Sequence, residues 1–162
     1  MRILGIDPGT RITGYGCVEL ADGAFDPTLV EAGVLRFKGG GALDGRLTTI
    51  HRDVVELIEE LQPDQLAIEK LYAHYKHPRT AILMAHARGV ILLAARQAGL
   101  TIEHLPSTAV KKSITGNGHA SKQQIQQAVQ AQCHLTEPPS PPDVADAIAI
   151  AICHARRLAL AR

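Results

Sequence analysis

The chain has 162 residues, 46% of them hydrophobic and 20% charged, with a formal net charge of +1. That is apolar material for one core of ordinary domain size (residues 1–162 as a single domain), and it excludes a collagen-like, disordered or low-complexity chain. No apolar run approaches the roughly eighteen residues that span a bilayer. The start Met1-Arg2-Ile3-Leu4-Gly5-Ile6-Asp7 lacks the layout of a signal peptide, so a soluble, cytoplasmic protein with no membrane partner is expected.

Arg2 to Asp7 is an apolar run stopped by Pro8-Gly9, a buried strand followed by a turn. Gly14 to Leu20 and Leu29 to Phe37 are two more strands, separated by Asp22-Gly23 and followed by the break Gly39-Gly40-Gly41. Their short connections predict an antiparallel meander. The period then changes. Leu43, Leu47, Ile50, Val54, Leu57, Ile58 and Leu61 follow a three-four spacing, which predicts an amphipathic helix from Leu43 to Leu61. Gln65 to Glu69 is a short apolar strand, and the crossover through the helix sets it parallel to the first. A loop rich in His, Tyr and Lys leads to a second long helix, Arg79 to Ala98, and a fifth strand, Thr101 to Leu105. Ser107 is expected to cap a short helix carrying Lys111 and Lys112, ended by Gly116-Asn117-Gly118. Ser121 is expected to cap the next, with Gln123 to Gln132 as its body. Pro138 to Pro142 reads as a rigid spacer, and Asp143 to Leu158 as an Ala- and Ile-rich final helix. The expectation is an α/β fold: one mixed five-stranded sheet, an antiparallel meander plus two parallel strands, flanked by helices.

Cys17, Cys133 and Cys153 show no Cys-x-x-Cys spacing, so neither a disulfide framework nor a zinc site is indicated. Each is expected to be a small buried hydrophobe. His74, His77, His86 and His104 fit no common zinc spacing.

Four carboxylates stand out. Asp7 and Glu69 end two strands predicted to be parallel, so both leave one edge of the sheet, where α/β ligand sites form. Asp143 and Asp146 are three apart at the start of a helix, hence on one face. Ordinary explanations exist for three of them: a turn residue bonding the Gly9 and Thr10 amides for Asp7, a partner of Lys70 for Glu69, and a helix cap for Asp143. Asp146, inside the apolar stretch Val144 to Ile152, has none. Four acids at one edge repel and call for cations. Carboxylate oxygens suit Mg²⁺, with Mn²⁺ as a substitute, and two such ions would serve phosphodiester hydrolysis. The charge distribution agrees. From Glu69 to Lys122 eight basic residues face two acidic ones, a net +6, whereas the rest holds nine basic and fourteen acidic residues, a net −5. Such asymmetry suggests one face able to take a polyanion.

The stretch Ile3-Leu4-Gly5-Ile6-Asp7-Pro8-Gly9-Thr10-Arg11-Ile12-Thr13-Gly14-Tyr15-Gly16 closely resembles the opening motif of RuvC-type Holliday-junction resolvases. Leu66-Ala67-Ile68-Glu69-Lys70-Leu71-Tyr72, Ala87-Arg88-Gly89-Val90 and Asp143-Val144-Ala145-Asp146-Ala147-Ile148-Ala149-Ile150-Ala151 resemble its later motifs, in order over nearly the whole chain. The resemblance implies a ribonuclease-H-like fold with Asp7, Glu69, Asp143 and Asp146 as metal-binding catalytic acids. It implies that Lys111 acts near the scissile phosphate and Lys122 on the substrate backbone. Tyr72 stands where many relatives carry Phe, in a loop that meets bases near the crossover; His74-Tyr75-Lys76-His77-Pro78 and His86 depart from the family pattern. The expected DNA contacts are Tyr72, Tyr75, Lys76, Arg79, Lys111, Lys112 and Lys122. The implied activity is Mg²⁺-dependent resolution of four-way DNA junctions by a homodimer, with Ile82, Leu83, Val90, Ile91 and Leu92 serving core and interface and a branch-migration helicase complex as a further partner. Three other readings compete: a single-lobed nucleotide-binding domain of the actin and sugar-kinase type, a junction-binding module without catalysis, and a nuclease for RNA–DNA hybrids. The first needs two lobes and leaves Asp143 and Asp146 unexplained; the second tolerates loss of acids that are all present.

Overall fold

The computed structural model describes residues 1–37, 41–72 and 78–161. In chain order the elements are β1 (Arg2–Asp7), β2 (Ile12–Glu19), β3 (Thr28–Arg36), α1 (Leu43–Leu61), β4 (Gln65–Glu69), α2 (Pro78–Gln97), β5 (Thr101–Leu105), α3 (Ser107–Thr115), α4 (Lys122–Gln132) and α5 (Pro142–Leu160). The strands form one sheet in the order β3-β2-β1-β4-β5. β1, β2 and β3 pair antiparallel, while β4 lies parallel to both β1 and β5. This is the mixed sheet that the meander and the crossover predict.

Alternation along the strands builds two cores. Leu4, Ile6, Cys17, Leu66 and Ile68 face α1 and α2, meeting Ile50, Val54, Leu57 and Ile91. Ile3, Val18, Ala67 and Leu105 face α5, with α3 and α4 behind it. α5 is buried along most of its length, from Val144 to Ala155 apart from Asp146. α2 buries Ile91, half-buries Leu83, Val90 and Leu92, and leaves Ile82 exposed.

Several boundaries differ from expectation. β2 starts at Ile12 rather than Gly14, and Arg36 rather than Phe37 closes β3. Pro142 is not spacer but the first residue of α5, where a missing N–H costs nothing. Ser107 does not cap α3: Pro106 is the N-cap, and Ser107 is the first helical residue. Ser121 does cap α4, its Oγ accepting from the Gln124 N–H at 3.2 Å while Gln124 Oε1 accepts from the Ser121 N–H at 2.8 Å. Cys17 and Cys153 are buried, but Cys133 is only half-buried; all three are free. Among the described residues no helix is long and apolar enough to cross a membrane.

Candidate active site

The site begins with a register. Ile6 pairs with Ile68 across the parallel β1–β4 ladder, so Asp7 and Glu69, the next residues, end side by side. By alternation both lie on the face of Ile3, Gly5 and Ala67, the face that α5 covers. Asp7 is not the turn residue that bonds the following amides. Thr13, fully buried, closes that turn: its Oγ1 accepts from the Gly9 N–H at 3.1 Å and donates to the Gly9 carbonyl at 3.0 Å. The Asp7 carboxyl is thereby left for the site.

The helix reaches these acids through glycines. A Cβ at Gly5 would stand 2.7 Å from Ala151 N and collide with the Ala147 carbonyl; one at Gly16 would stand 2.9 Å from Ile148 Cα. At Gly14, the β2 partner of Asp7, a Cβ would collide with the Asp143 carbonyl and approach Asp143 Cβ to 3.1 Å. Three strand positions without a Cβ thus let α5 settle directly on the backbone. This brings Asp143 beside Asp7, with Asp146 one turn on. The α5 N-cap is Pro141 with no side-chain cap bond, so Asp143 is not a cap.

Asp7, Glu69 and Asp146 line one cavity of about 280 Å³, together with Ser107, Lys111 and Lys122 from α3 and α4. Its electrostatics are those of crowded acids. Burial, then Asp146, Asp143 and Glu69, push the Asp7 carboxyl up to about 8, against the pull of Lys122. Glu69 is raised by burial and Asp146, and held down by Lys111, a hydrogen bond from Ser107 and Lys122. Asp146 is raised by burial, lowered by Lys122, raised by Asp143 and lowered by Lys111. Glu69 is thus not a surface partner of Lys70: the cations that act on it come from α3 and α4. Three carboxyls resist ionisation because they are buried and face one another, and an oxygen-seeking divalent cation would remove that resistance. Among the described residues no three His, Cys, Asp or Glu side chains already converge on one point as a ligand set. The donor set, hard oxygens only, fits such a cation.

The remaining expected residues lie at different places. Lys112, one position from Lys111, turns away to another cavity lined by Phe25, Ser113 and Arg157. Tyr72 is 56% exposed just beyond β4, and Arg79 is exposed in the first turn of α2. Tyr75 and Lys76, with His74 and His77, lie outside the described residues. Thr13, Ser107 and the three glycines escaped sequence reasoning. So did Arg88 of α2, whose Nε donates to the Glu69 carbonyl at 3.1 Å and whose guanidinium meets His104 Nδ1 at 2.6 Å. A Gly-x-Gly at alternate strand positions opposite an Ala-rich helix was the signal available for the glycines.

A family model described as crossover junction endodeoxyribonuclease RuvC matches residues 3–154. The chain belongs to the RuvC family. A RuvC crossover junction endodeoxyribonuclease of Rhodopirellula baltica is 49% identical over 151 residues, 93% of this chain and 84% of that protein. One from Hydrogenovibrio crunogenus is 48% identical over 160 residues, 98% of this chain and 90% of the relative. The structure of Thermus thermophilus RuvC in complex with Holliday junction substrate superposes with a TM-score of 0.89 at 31% identity, covering 99% of this chain and 96% of that one. The fold is therefore the ribonuclease-H-like fold of RuvC, and the protein is a nuclease of that family.

Proposed function

We propose that this RuvC-family chain, a single nuclease domain, is the endonuclease that resolves four-way DNA junctions by paired symmetric nicks in strands of like polarity during recombination and repair. The observation that carries this reading is the cavity in which Asp7, Glu69 and Asp146 meet Lys111 and Lys122 at the carboxyl ends of two parallel strands, with Asp143 on the adjoining turn. A pocket of acids alone would repel DNA; acids bordered by lysines admit a phosphate while leaving room for cations.

Each residue then has a task. Asp7, Glu69, Asp143 and Asp146 would hold Mg²⁺, two ions in our reading with Mn²⁺ able to replace them, through carboxylate oxygens. When bound, the ions polarise the phosphodiester and make a water acidic enough to attack at neutral pH. The carboxylates would also orient a water in line with the leaving oxygen and take up its proton. Lys111 stabilises the charge that grows on the phosphate as the bond breaks. Lys122 fixes the substrate backbone. Attack at phosphorus with departure of the 3′ oxygen leaves 5′-phosphate and 3′-hydroxyl ends, which ligase can seal. Tyr72, exposed and aromatic, stacks on a base near the crossover.

Two nicks related by a two-fold axis need two sites, so the working form is a homodimer, acting in the cytoplasm and served by a branch-migration helicase complex. The decisive assay incubates the protein and Mg²⁺ with a labelled four-way junction, a duplex, a single strand and an RNA–DNA hybrid. Paired, ligatable nicks confined to the junction are expected. Equal cutting of duplex or hybrid, or no cutting at all, would overturn the assignment.

A further inference from the structure

A second cationic cavity lies on the same edge of the sheet, on the opposite face from α5. It occupies about 420 Å³ between the end of β3 and the first turns of α1, and is lined by Arg36, Phe37, Gly45, Arg46 and Arg52, among others. Its position follows from the register. Arg36 pairs with Ile12, and the Phe37 N–H donates to the Arg11 carbonyl at 2.9 Å, so the cavity adjoins the turn that leaves Asp7.

The charges in it are not balanced. Arg52 is satisfied by Asp53, whose Oδ1 accepts from both its Nε and a terminal nitrogen at 3.1 and 2.9 Å. Arg36 and Arg46 have no carboxylate partner among the described residues, and the Nε of Arg46 is buried without any hydrogen-bond partner. A buried guanidinium N–H left unpaired is costly and demands an acceptor. Among the described residues nothing crowds the cavity beside Gly45, where a Cβ would meet nothing within 4 Å. The N-cap of α1 is Ala42, with no side-chain cap bond, so free helix amides add to the positive field.

We propose that this cavity binds a phosphate group, held by the guanidinium groups of Arg36 and Arg46, both of which line it. Guanidinium forks match phosphate oxygens in geometry as well as charge. That the phosphate belongs to a DNA backbone rests on the junction-nuclease reading: a strand leaving the acid cavity over this edge passes the Arg36 side and offers a phosphate about every 3.4 Å of rise. A free phosphate ion is the other source of the same chemistry.

Two measurements separate the sources. In the first, the Arg Nε–H resonances are followed by NMR while inorganic phosphate is titrated at constant ionic strength, in wild type, R46Q and G45D. In the second, the salt dependence of binding to a four-way junction is compared among wild type, R36Q, R46Q and R96Q, the last removing an exposed charge at the far end of α2. For backbone phosphate, inorganic phosphate shifts the Arg46 Nε–H resonance in wild type but leaves G45D silent. R36Q and R46Q each lower the salt slope by about one, and R96Q does not. A resonance shift with unchanged slopes assigns the cavity to a free phosphate ion. No shift and no change of slope overturns the proposal. If wild type neither binds nor cuts the junction, the nuclease reading fails and the NMR titration alone decides the cavity.

Discussion

The two faces of the sheet are built on opposite principles. The face under α1 and α2 is filled by bulky branched side chains, Leu4, Ile6, Leu66 and Ile68, each wholly buried. The face under α5 keeps Ile3, Val18 and Leu105 but is opened between them by Gly5, Gly14 and Gly16, which let a helix of Ala and Ile lie on the strand backbone. Thick packing stabilises, since each large buried side chain contributes about 1.5–3 kcal/mol. Thin packing sacrifices part of that burial and in return brings α5, and with it Asp143 and Asp146, to Asp7. One face holds the domain together; the other sets the distance between its carboxylates.

Mutation should break the two faces differently. Leu4→Ala empties a fully enclosed site on the α1–α2 side and should cost about 2–5 kcal/mol, read as a fall in the denaturant midpoint. Cleavage per folded molecule should survive. Gly14→Ala should cost about 1–3 kcal/mol or more, because the new methyl meets the Asp143 backbone and α5 itself must shift to make room. That shift carries Asp143 off Asp7, so cleavage should fall at least a hundredfold in the remaining folded protein. Gly14→Ala with full cleavage would mean that close approach of α5 does not set the site.

Asp7→Asn should move stability the other way. The folded protein holds the Asp7 proton up to about 8, whereas the unfolded chain releases it near 3.8. The unfolded state therefore binds fewer protons between those values, and stability falls as pH rises from about 4 to 8. Every tenfold weakening of the acid on folding corresponds to about 1.4 kcal/mol, but a buried amide brings a desolvation cost of about 1–3 kcal/mol that offsets much of the gain. The net expectation is a cation-free variant more stable than wild type by a few kcal/mol at pH 8 and less stable or equal at pH 4. Mg²⁺ should raise the melting temperature of wild type and not of the variant, and Asp7→Asn should not cleave. A variant destabilised at pH 8, with wild type indifferent to Mg²⁺, would make Asp7 a structural acid.

Much of this was legible in the residues, and the exceptions have physical causes. Chain order and period were enough to place Asp7 and Glu69 on one edge, because a helical crossover between neighbouring strands forces them parallel. The helix Leu43 to Leu61 was readable to the residue, since its apolar stripe faces one continuous core. The role of Gly5, Gly14 and Gly16 was not, because an absent side chain gives no sign of which backbone will approach it. Ser107 read as an ordinary cap residue, and only its tertiary neighbour Glu69 decides what its hydroxyl bonds; Thr13 carried no reading of its own, because its bonds to Gly9 depend on how the turn after β1 closes. Arg88 lies nineteen positions from the Glu69 carbonyl that it supports.

Lys111 and Lys122 test the thin-packed face at its smallest effect. By charge and position alone Lys111 and Lys112 are equivalent, and only the family resemblance singles out Lys111, yet neighbours on a helix differ by about 100° in direction. The structure turns Lys111 towards the acids and Lys112 towards Phe25 and Arg157. If α5, α3 and α4 together form the DNA-facing side of the site, Lys111→Ala and Lys122→Ala should each lower the salt slope of junction binding by about one. Lys112→Ala should change it less, because its charge lies off the line from Asp7 to Lys122. Lys111→Ala should also slow cleavage at saturating junction, which Lys122→Ala should do only weakly if its contact is already made before the bond breaks. Binding titrations over a several-fold range of salt, with single-turnover cleavage on the same samples, separate the three. An equal loss of slope in all three variants would spread the DNA path across both faces of α3 and remove the acid cavity as its centre.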